Sequence, residues 1–266
     1  MSNPGQIRVG VGGWTYEPWR DNFYPKGWPH GRELEYASRK LTAIEVNGTY
    51  YSSQKPATFA KWREETPPGF MFSLKANRFA TNRRVLAEAG ESVERFIGSG
   101  IAELGDKLGP VLWQFASTKR FDPVDFEAFL KLLPSQVQGL PLRHVMDVRH
   151  DSFKTPEYLA LARRYKVATV FTDSDDYPSF ADITGGFLYA RLMRSQSHLP
   201  LGFAPEALDQ VAQCARCWAA GGEPEALPRV EAKTAAAAPR DVFLYFISAA
   251  KERNPAAAMA LIERLA

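Results

Sequence analysis

Six charged side chains sit at the C-terminal ends of apolar runs: Glu45, Asp147 and Asp173 on the acidic side, and Lys75, Arg149 and Arg191 on the basic side. Each belongs to a pair spaced two apart: Glu45/Asn47, Ser73/Lys75, Asp147/Arg149, Phe171/Asp173 and Tyr189/Arg191. Leu112/Gln114 adds an amide in the same pattern. Residues two apart in an extended segment share a face. Glu45 has the chemistry of a general base, its pKa raised by enclosure or lowered by a nearby cation. Lys75 can steady a developing oxyanion or, once desolvated and neutral, form a Schiff base. Arg149 and Arg191 offer planar forks for carboxylate or phosphate. Asp147, two residues from Arg149 on one face, is placed to orient it. The same six charges would also serve as ion pairs plugging a core. Buried pairs contribute little net stability, however, because desolvation offsets the Coulomb gain. A cleft holding perturbed titratable groups is therefore the expected reading.

Aromatic and basic residues cluster nearby in sequence. Trp14, Tyr16, Trp19, Tyr24, Tyr50 and Tyr51 fall within two loops, where they can form a platform for a ring or pack the loops down. Arg78, Arg83 and Arg84 follow Lys75 before any acid appears at Glu88, a basic loop suited to an anion or to plain solvation. No metal or cofactor is expected. His30, His144, His150 and His198 are scattered and match no ligand spacing. Cys214 and Cys217 lie in a helical stretch with Ala212, Ala215 and Trp218 and without a second ligand pair, so packing is the expected role. No phosphate-binding loop, nucleophile elbow or dinucleotide fingerprint occurs.

The elements that must position these groups alternate regularly. Strand-like runs are expected at 6–12, 43–47, 70–75, 111–115, 143–149, 167–172, 186–192 and 241–248. Helical spacing is expected at 33–41, from Pro56 to Thr66, over 91–107, from Asp122 to Leu133, and at 156–166, 205–219 and 255–265, with an irregular stretch around Tyr177–Ile183. Strands alternating with helical segments imply parallel pairing through crossovers. Eight such units in about 250 residues predict an α/β chain forming a single (β/α)8 barrel of the TIM type. An open doubly wound sheet is the alternative, but it lacks its glycine-rich turn. Inward positions at the strand ends would then line the mouth, where such barrels carry their sites. Residues 221–240, rich in Gly, Pro and Ala, break the rhythm. They run from a helix to a strand and are expected to be a mobile insertion at the opposite end.

Composition narrows the class. The 266 residues are 45% hydrophobic with a net charge of +3, enough for a large core and far from the basic balance of a dedicated nucleic-acid binder. No apolar run approaches the roughly 18 residues of a membrane span, and the N-terminal residues lack a secretory pattern. Two cysteines cannot build a disulfide framework. A soluble cytoplasmic protein without a membrane partner is expected; its oligomeric state is open.

The motifs resemble those of the YecE-like family, a domain of unknown function. The resemblance is carried by Gly12-Gly13-Trp14-Thr15-Tyr16, Phe23-Tyr24-Pro25, Ile44-Glu45-Val46-Asn47-Gly48-Thr49-Tyr50-Tyr51, Thr66-Pro67-Pro68-Gly69-Phe70, Phe72-Ser73-Leu74-Lys75-Ala76, Gly109-Pro110-Val111-Leu112-Trp113-Gln114-Phe115 and Arg149-His150-Asp151-Ser152-Phe153. It implies a (β/α)8-type barrel and no particular activity. Two departures stand out: Thr81-Asn82 where the family commonly reads Thr-His, and Phe246-Ile247-Ser248 where it commonly reads Phe-Asn-Asn. Both remove groups that an acid/base mechanism could use.

The reading that results is an enzyme acting on an anionic, ring-bearing small molecule. Glu45 and Lys75 would be catalytic, and Trp14, Tyr16, Asn47, Tyr50, Gln114, Asp147, Arg149, Asp173 and Arg191 would bind substrate. Hydrolysis, lyase chemistry and isomerisation are not distinguished. A module that stacks single-stranded nucleic acid and a catalytically inactive scaffold are the alternatives.

Overall fold

The computed structural model describes residues 3–20, 22–232 and 236–266. Eight parallel strands close into a barrel: β1 (Ile7–Gly12), β2 (Ala43–Val46), β3 (Met71–Lys75), β4 (Leu108–Gln114), β5 (His144–Asp147), β6 (Ala168–Thr172), β7 (Phe187–Leu192) and β8 (Asp241–Phe246). Each strand pairs with its neighbour in sequence, and β8 closes on β1 through the register Ile7 to Val242. Between them lie α1 (Glu33–Lys40), α2 (Pro56–Glu65), α3 (Gly90–Ile97), α4 (Pro123–Lys131), α5 (Pro156–Arg164), α6 (Pro205–Ala219) and α7 (Asn254–Leu265). This is the expected (β/α)8 barrel. Proline opens α2, α4, α5 and α6 at a first-turn position, where its fixed φ suits the helix and its missing N–H costs nothing. Asp122 caps α4 by accepting from the Val124 and Asp125 amides.

Alternation along the strands separates two apolar layers. Ile44, Phe72, Trp113, Met146, Phe171, Leu192 and Leu244 face outward into the shell beneath the helices. Ala43, Met71, Leu112, Val145, Val170, Tyr189, Phe243 and Tyr245 fill the barrel interior. The polar members of the inward set, Glu45, Lys75, Gln114, Asp147 and Arg191, accumulate towards the C-terminal ends.

Three local expectations are corrected. The stretch 91–107 is not one helix: α3 ends at Ile97, and 3-10 turns span Ile101–Lys107. Gly100 causes the break, with φ +105° and Pro56 atoms 2.7 Å from where a Cβ would lie. The fourth strand starts at Leu108 rather than at residue 111, taking Gly109 and Pro110 into the sheet. The register slips there between Phe72 and Leu74, and Gly109 lies so near the Phe72 carbonyl that a Cβ would be 2.7 Å from its oxygen. A strand proline is tolerated at such an irregularity.

The third correction concerns 221–240. Its described part is packed along the barrel wall rather than hanging free below it. Pro228 O accepts from Ala181 N at 2.8 Å. The Asp182 carboxylate accepts from Val230 N at 2.8 Å and Glu231 N at 3.0 Å, and Leu227 and Val230 pack on the outer core. The reason lies between β6 and β7, where residues 173–186 form no helix. Residues 224–231 cover part of the wall that a crossover helix would otherwise shield. Residues 233–235 of this insertion lie outside the described residues.

Candidate functional site at the barrel mouth

Arg191, the last inward residue of β7, organises the mouth. Its guanidinium donates to Glu45 Oε1 at 3.1 Å, Asp147 Oδ2 at 2.8 Å and Gln114 Oε1 at 3.3 Å. Glu45 is fully buried on β2, and its second oxygen accepts from Tyr189 OH at 2.7 Å. Asp147 ends β5 and also accepts from Arg149 Nε at 3.1 Å and pairs with its Nη2 at 3.0 Å. Burial alone would lower the Arg191 pKa, but Glu45 and Asp147 outweigh it and hold the value above the ordinary arginine range. Burial, followed by the Glu45 charge, drives the Tyr189 hydroxyl well above its usual pKa. Beneath this layer Ser73 Oγ and Tyr245 OH share a 2.7 Å hydrogen bond.

Lys75 lies outside this network. It ends β3 and is 6% exposed. Among the described residues its ammonium makes no ion pair or hydrogen bond and sits over the Tyr50 ring, 4.1 Å from the centroid, while its backbone carbonyl accepts from Thr49 Oγ1 at 2.7 Å. Burial, reinforced by the positive charge of Arg191 and opposed by Glu45, lowers its pKa to about 8. Asn82 Nδ2 donates to Tyr50 OH at 3.3 Å, so the residue that departs from the family pattern holds the ring beneath Lys75.

These groups border a cavity of about 520 Å³ at the C-terminal strand ends. Asn47, Lys75, Gln114, Arg149 and Arg191 line it, as do Trp14 and Tyr16. Trp14 is braced edge-on by Trp62, with ring centroids 5.1 Å apart. Lys251 enters from the loop after β8, its Nζ 4.3 Å from the centroid of Tyr16. The lining thus contains Lys75, Arg149, Arg191 and Lys251, and no aspartate or glutamate among the described residues. Two polar atoms of lining residues, Arg191 Nε and Asn254 Oδ1, are buried without a partner among the described residues. They leave one donor and one acceptor unused.

Other expected site residues fall elsewhere. Glu45 and Asp147 do not line the cavity; they lie behind Arg191 and fix it. Asp173 is not in the cavity either. Phe171 faces the outer shell, 5.7 Å from Trp218 between ring centroids, and Asp173 shares its phase, accepting from Met193 N at 2.5 Å. The inward residues of β6 are Ala168 and Val170, so the phase there is shifted by one residue, which exchanges the two faces. Tyr50 supports Lys75 from below, and Trp19 and Tyr24 are buried in loop packing. Arg78, Arg83 and Arg84 do not line the cavity; Arg83 is tied to Phe79 O at 2.7 Å and Ser92 Oγ at 2.9 Å. Sequence reading missed Lys251, Asn254, Trp62 and the Ser248–Ala249 turn. Ser248 and Ala249 have φ of 61° and 47°, and Asn254 Nδ2 donates to Ser248 O at 3.2 Å. The signal for them was position alone, since the loop after the last strand returns to the mouth.

A closed ring of eight parallel strands surrounded by helices defines the (β/α)8 class, and barrels of that class carry their sites at the C-terminal strand ends. Within that class the chain belongs to the family described as "Protein of unknown function DUF72", whose pattern matches residues 8–266. A curated relative, UPF0759 protein YunF of Bacillus subtilis (strain 168), is 25% identical over 158 residues, 57% of this chain and 54% of YunF. The match spans about half the length of that relative. The crystal structure of a DUF72 family protein from Thermotoga maritima superposes with a TM-score of 0.72 at 18% identity, covering 98% of this chain and 99% of that one. A D-psicose 3-epimerase crystallised in the presence of D-fructose is similar with a TM-score of 0.53 at 13% identity, covering 96% and 97%. At these identities the two structures show the shared barrel fold. Among the described residues no helix is long and apolar enough to cross a membrane.

Proposed function

We propose that this protein is an enzyme acting on an anionic, ring-bearing small molecule at the barrel mouth, with Lys75 as its acid/base group. The observation that carries this reading is Lys75: a buried amine facing a 520 Å³ cavity, unpaired, with a pKa of about 8. A lysine tuned towards 7–8 is suited to take up and return a proton near neutrality. A structural lysine would sit against a carboxylate, and both nearby carboxylates are already committed to Arg191. The all-cationic lining supports an anionic ligand, with Arg149 and Lys251 as its holding groups. Trp14, Tyr16 and Tyr51 flank the ring, and Asn47, Gln114 and Asn254 supply polar contacts. Glu45 and Asp147 are positioning residues that act through Arg191.

A second reading rests on an adjoining groove that shares Tyr51 with the mouth. Tyr51 and Phe79 are 64% and 60% exposed, and both line a cleft with Arg83 and Arg95. Exposed aromatics beside arginines also suit single-stranded nucleic acid. Such binding would weaken steeply with salt.

A thermal-shift comparison of matched pairs tests the first reading: glucose 6-phosphate against glucose, and uridine 5′-monophosphate against uridine. At least one anionic member is expected to stabilise the protein, by about 2.7 kcal/mol at a hundredfold excess over its Kd, while its neutral partner does little. Equal effects from anionic and neutral members would exclude an anion-selective site.

A further inference from the structure

Glu45, Gln114 and Asp147 are all bonded to Arg191. Of the inward polar side chains at the strand ends, Lys75 alone stands without a hydrogen bond or ion pair among the described residues. Its amine is not shut in. Arg191 Nε is sealed from solvent without a partner, whereas Lys75 Nζ, also unpartnered, is not among the sealed atoms, and the residue borders the 520 Å³ cavity. Two conditions make a lysine nucleophilic: withdrawal from water and a second cation close enough to oppose protonation. Both hold here, since burial and then the charge of Arg191 disfavour the ammonium. A donor lies on the neighbouring strand. Lys75 is in register with Leu112 of β4, and Gln114 is the next residue of that strand on the same face. The Gln114 oxygen accepts from Arg191 Nη1, which leaves its amide NH2 unpartnered among the described residues. That group can donate to a carbonyl oxygen as negative charge gathers on it.

We infer that Lys75 is a Schiff-base nucleophile and that the ligand of the mouth is an anionic, ring-bearing aldehyde or ketone. Its carbonyl carbon meets Lys75 Nζ, and its negative group meets Arg149 and Lys251. The inference rests on the anion-binding reading of the mouth proposed above and names the reactive group of its substrate. The neutral amine adds to the carbonyl carbon, forming a C–N bond and a carbinolamine. The C–O bond then breaks, and the oxygen leaves as water with the two protons that the amine gives up. One proton from solvent converts the imine to an iminium, whose positive charge the face of Tyr50 favours. A covalent intermediate of this kind splits one difficult step into two easier ones.

4-Formylbenzoate and benzaldehyde provide a matched pair of probes, a ring aldehyde with and without a carboxylate. Each is incubated with the full chain at neutral pH and sodium cyanoborohydride, which reduces an iminium to a stable secondary amine. Rates are taken relative to free Nα-acetyllysine, which removes the intrinsic difference between the aldehydes. Mass spectrometry counts the adducts and peptide mapping places them; the terminal α-amino group, which also labels near neutrality, is read from its own peptide. With 4-formylbenzoate, Lys75 is expected to label at least about tenfold faster than any other lysine, because more of its amine is neutral. Benzaldehyde, lacking the charge-assisted contact, should label it about tenfold more slowly. Lys75→Met should remove the adduct, and Lys75→Arg, which keeps a cation, serves if the methionine variant does not fold by circular dichroism. The inference is overturned if Lys75 labels no faster than the surface lysines. Thermal stabilisation by 4-formylbenzoate without that adduct would overturn the Schiff base and leave the anion-selective mouth standing. Absence of both adduct and stabilisation by any anion would overturn the two together. Equal labelling by benzaldehyde would overturn the anionic substrate class.

Discussion

Arg191→Met is expected to cost about 3–5 kcal/mol of unfolding free energy, the loss that follows when a buried ion pair is broken from one side. The guanidinium is 3% exposed, and its partners Glu45 and Asp147 have side chains 0% and 6% exposed. Removing it leaves Glu45 with Tyr189 as a neutral donor, and Asp147 with Arg149. Glu45 is the more stranded of the two. Glu45→Gln introduced together with Arg191→Met should therefore recover part of the loss, and the double-mutant cycle should show coupling above 1 kcal/mol, as contacting charged groups do. Urea denaturation of the four proteins supplies the numbers. A loss below about 1 kcal/mol for Arg191→Met would mean that water reaches the carboxylates and that the floor of the mouth is not a dry network.

Lys75→Met should do the opposite to stability while abolishing ligand binding. In the folded protein the Lys75 pKa is about 8, from an ordinary value of 10.5, so folding disfavours the ammonium by about 3 kcal/mol. The sign follows from proton counting. Between pH 8 and 10.5 the unfolded chain holds the proton more tightly than the native one, so the contribution of this group to stability rises with pH across that window. Below pH 8 both states are protonated and the penalty is complete; above 10.5 both are neutral and it is gone. Methionine keeps much of the stem packing and has no charge to desolvate. The variant should be more stable than the parent by about 1–3 kcal/mol at pH 7, less the lost contact with Tyr50. That advantage should shrink towards zero as pH approaches 10.5. A destabilisation of 3 kcal/mol or more at pH 7 would instead identify Lys75 as half of a structural pair.

Much of this arrangement was legible in the sequence because barrel strands write their burial in alternation. Ile44 and Val46 against Glu45 and Asn47, or Tyr189 and Arg191 against Ala190 and Leu192, put the polar residues of a strand end on one face without any tertiary information. The method failed at Asp173, where Phe171 and Asp173 share a face but the face is the outer one. Alternation gives the two faces of a strand and does not say which is inside. It failed again at 91–107, since apolar spacing continues through the Gly98–Gly100 break that contact with Pro56 imposes. Lys251 and Asn254 follow β8 in a loop and the start of a helix, with no periodic signal to mark them. The insertion was misjudged for a related reason. Pro228 and Val230 find their partners at Ala181 and Asp182, about fifty positions away, and composition carries no trace of that pairing.

The central claim is that the mouth holds a buried, unpaired amine poised for proton transfer. Nuclear magnetic resonance of protein labelled with carbon-13 at the lysine Cε positions tests it most directly, with Lys75→Met assigning the resonance. One lysine signal, absent from the variant, should titrate near pH 8, and its midpoint should move upward when an anionic ligand fills the cavity, because a nearby negative charge favours the ammonium. Titration of that signal above pH 10, together with the ordinary surface lysines, would contradict the account.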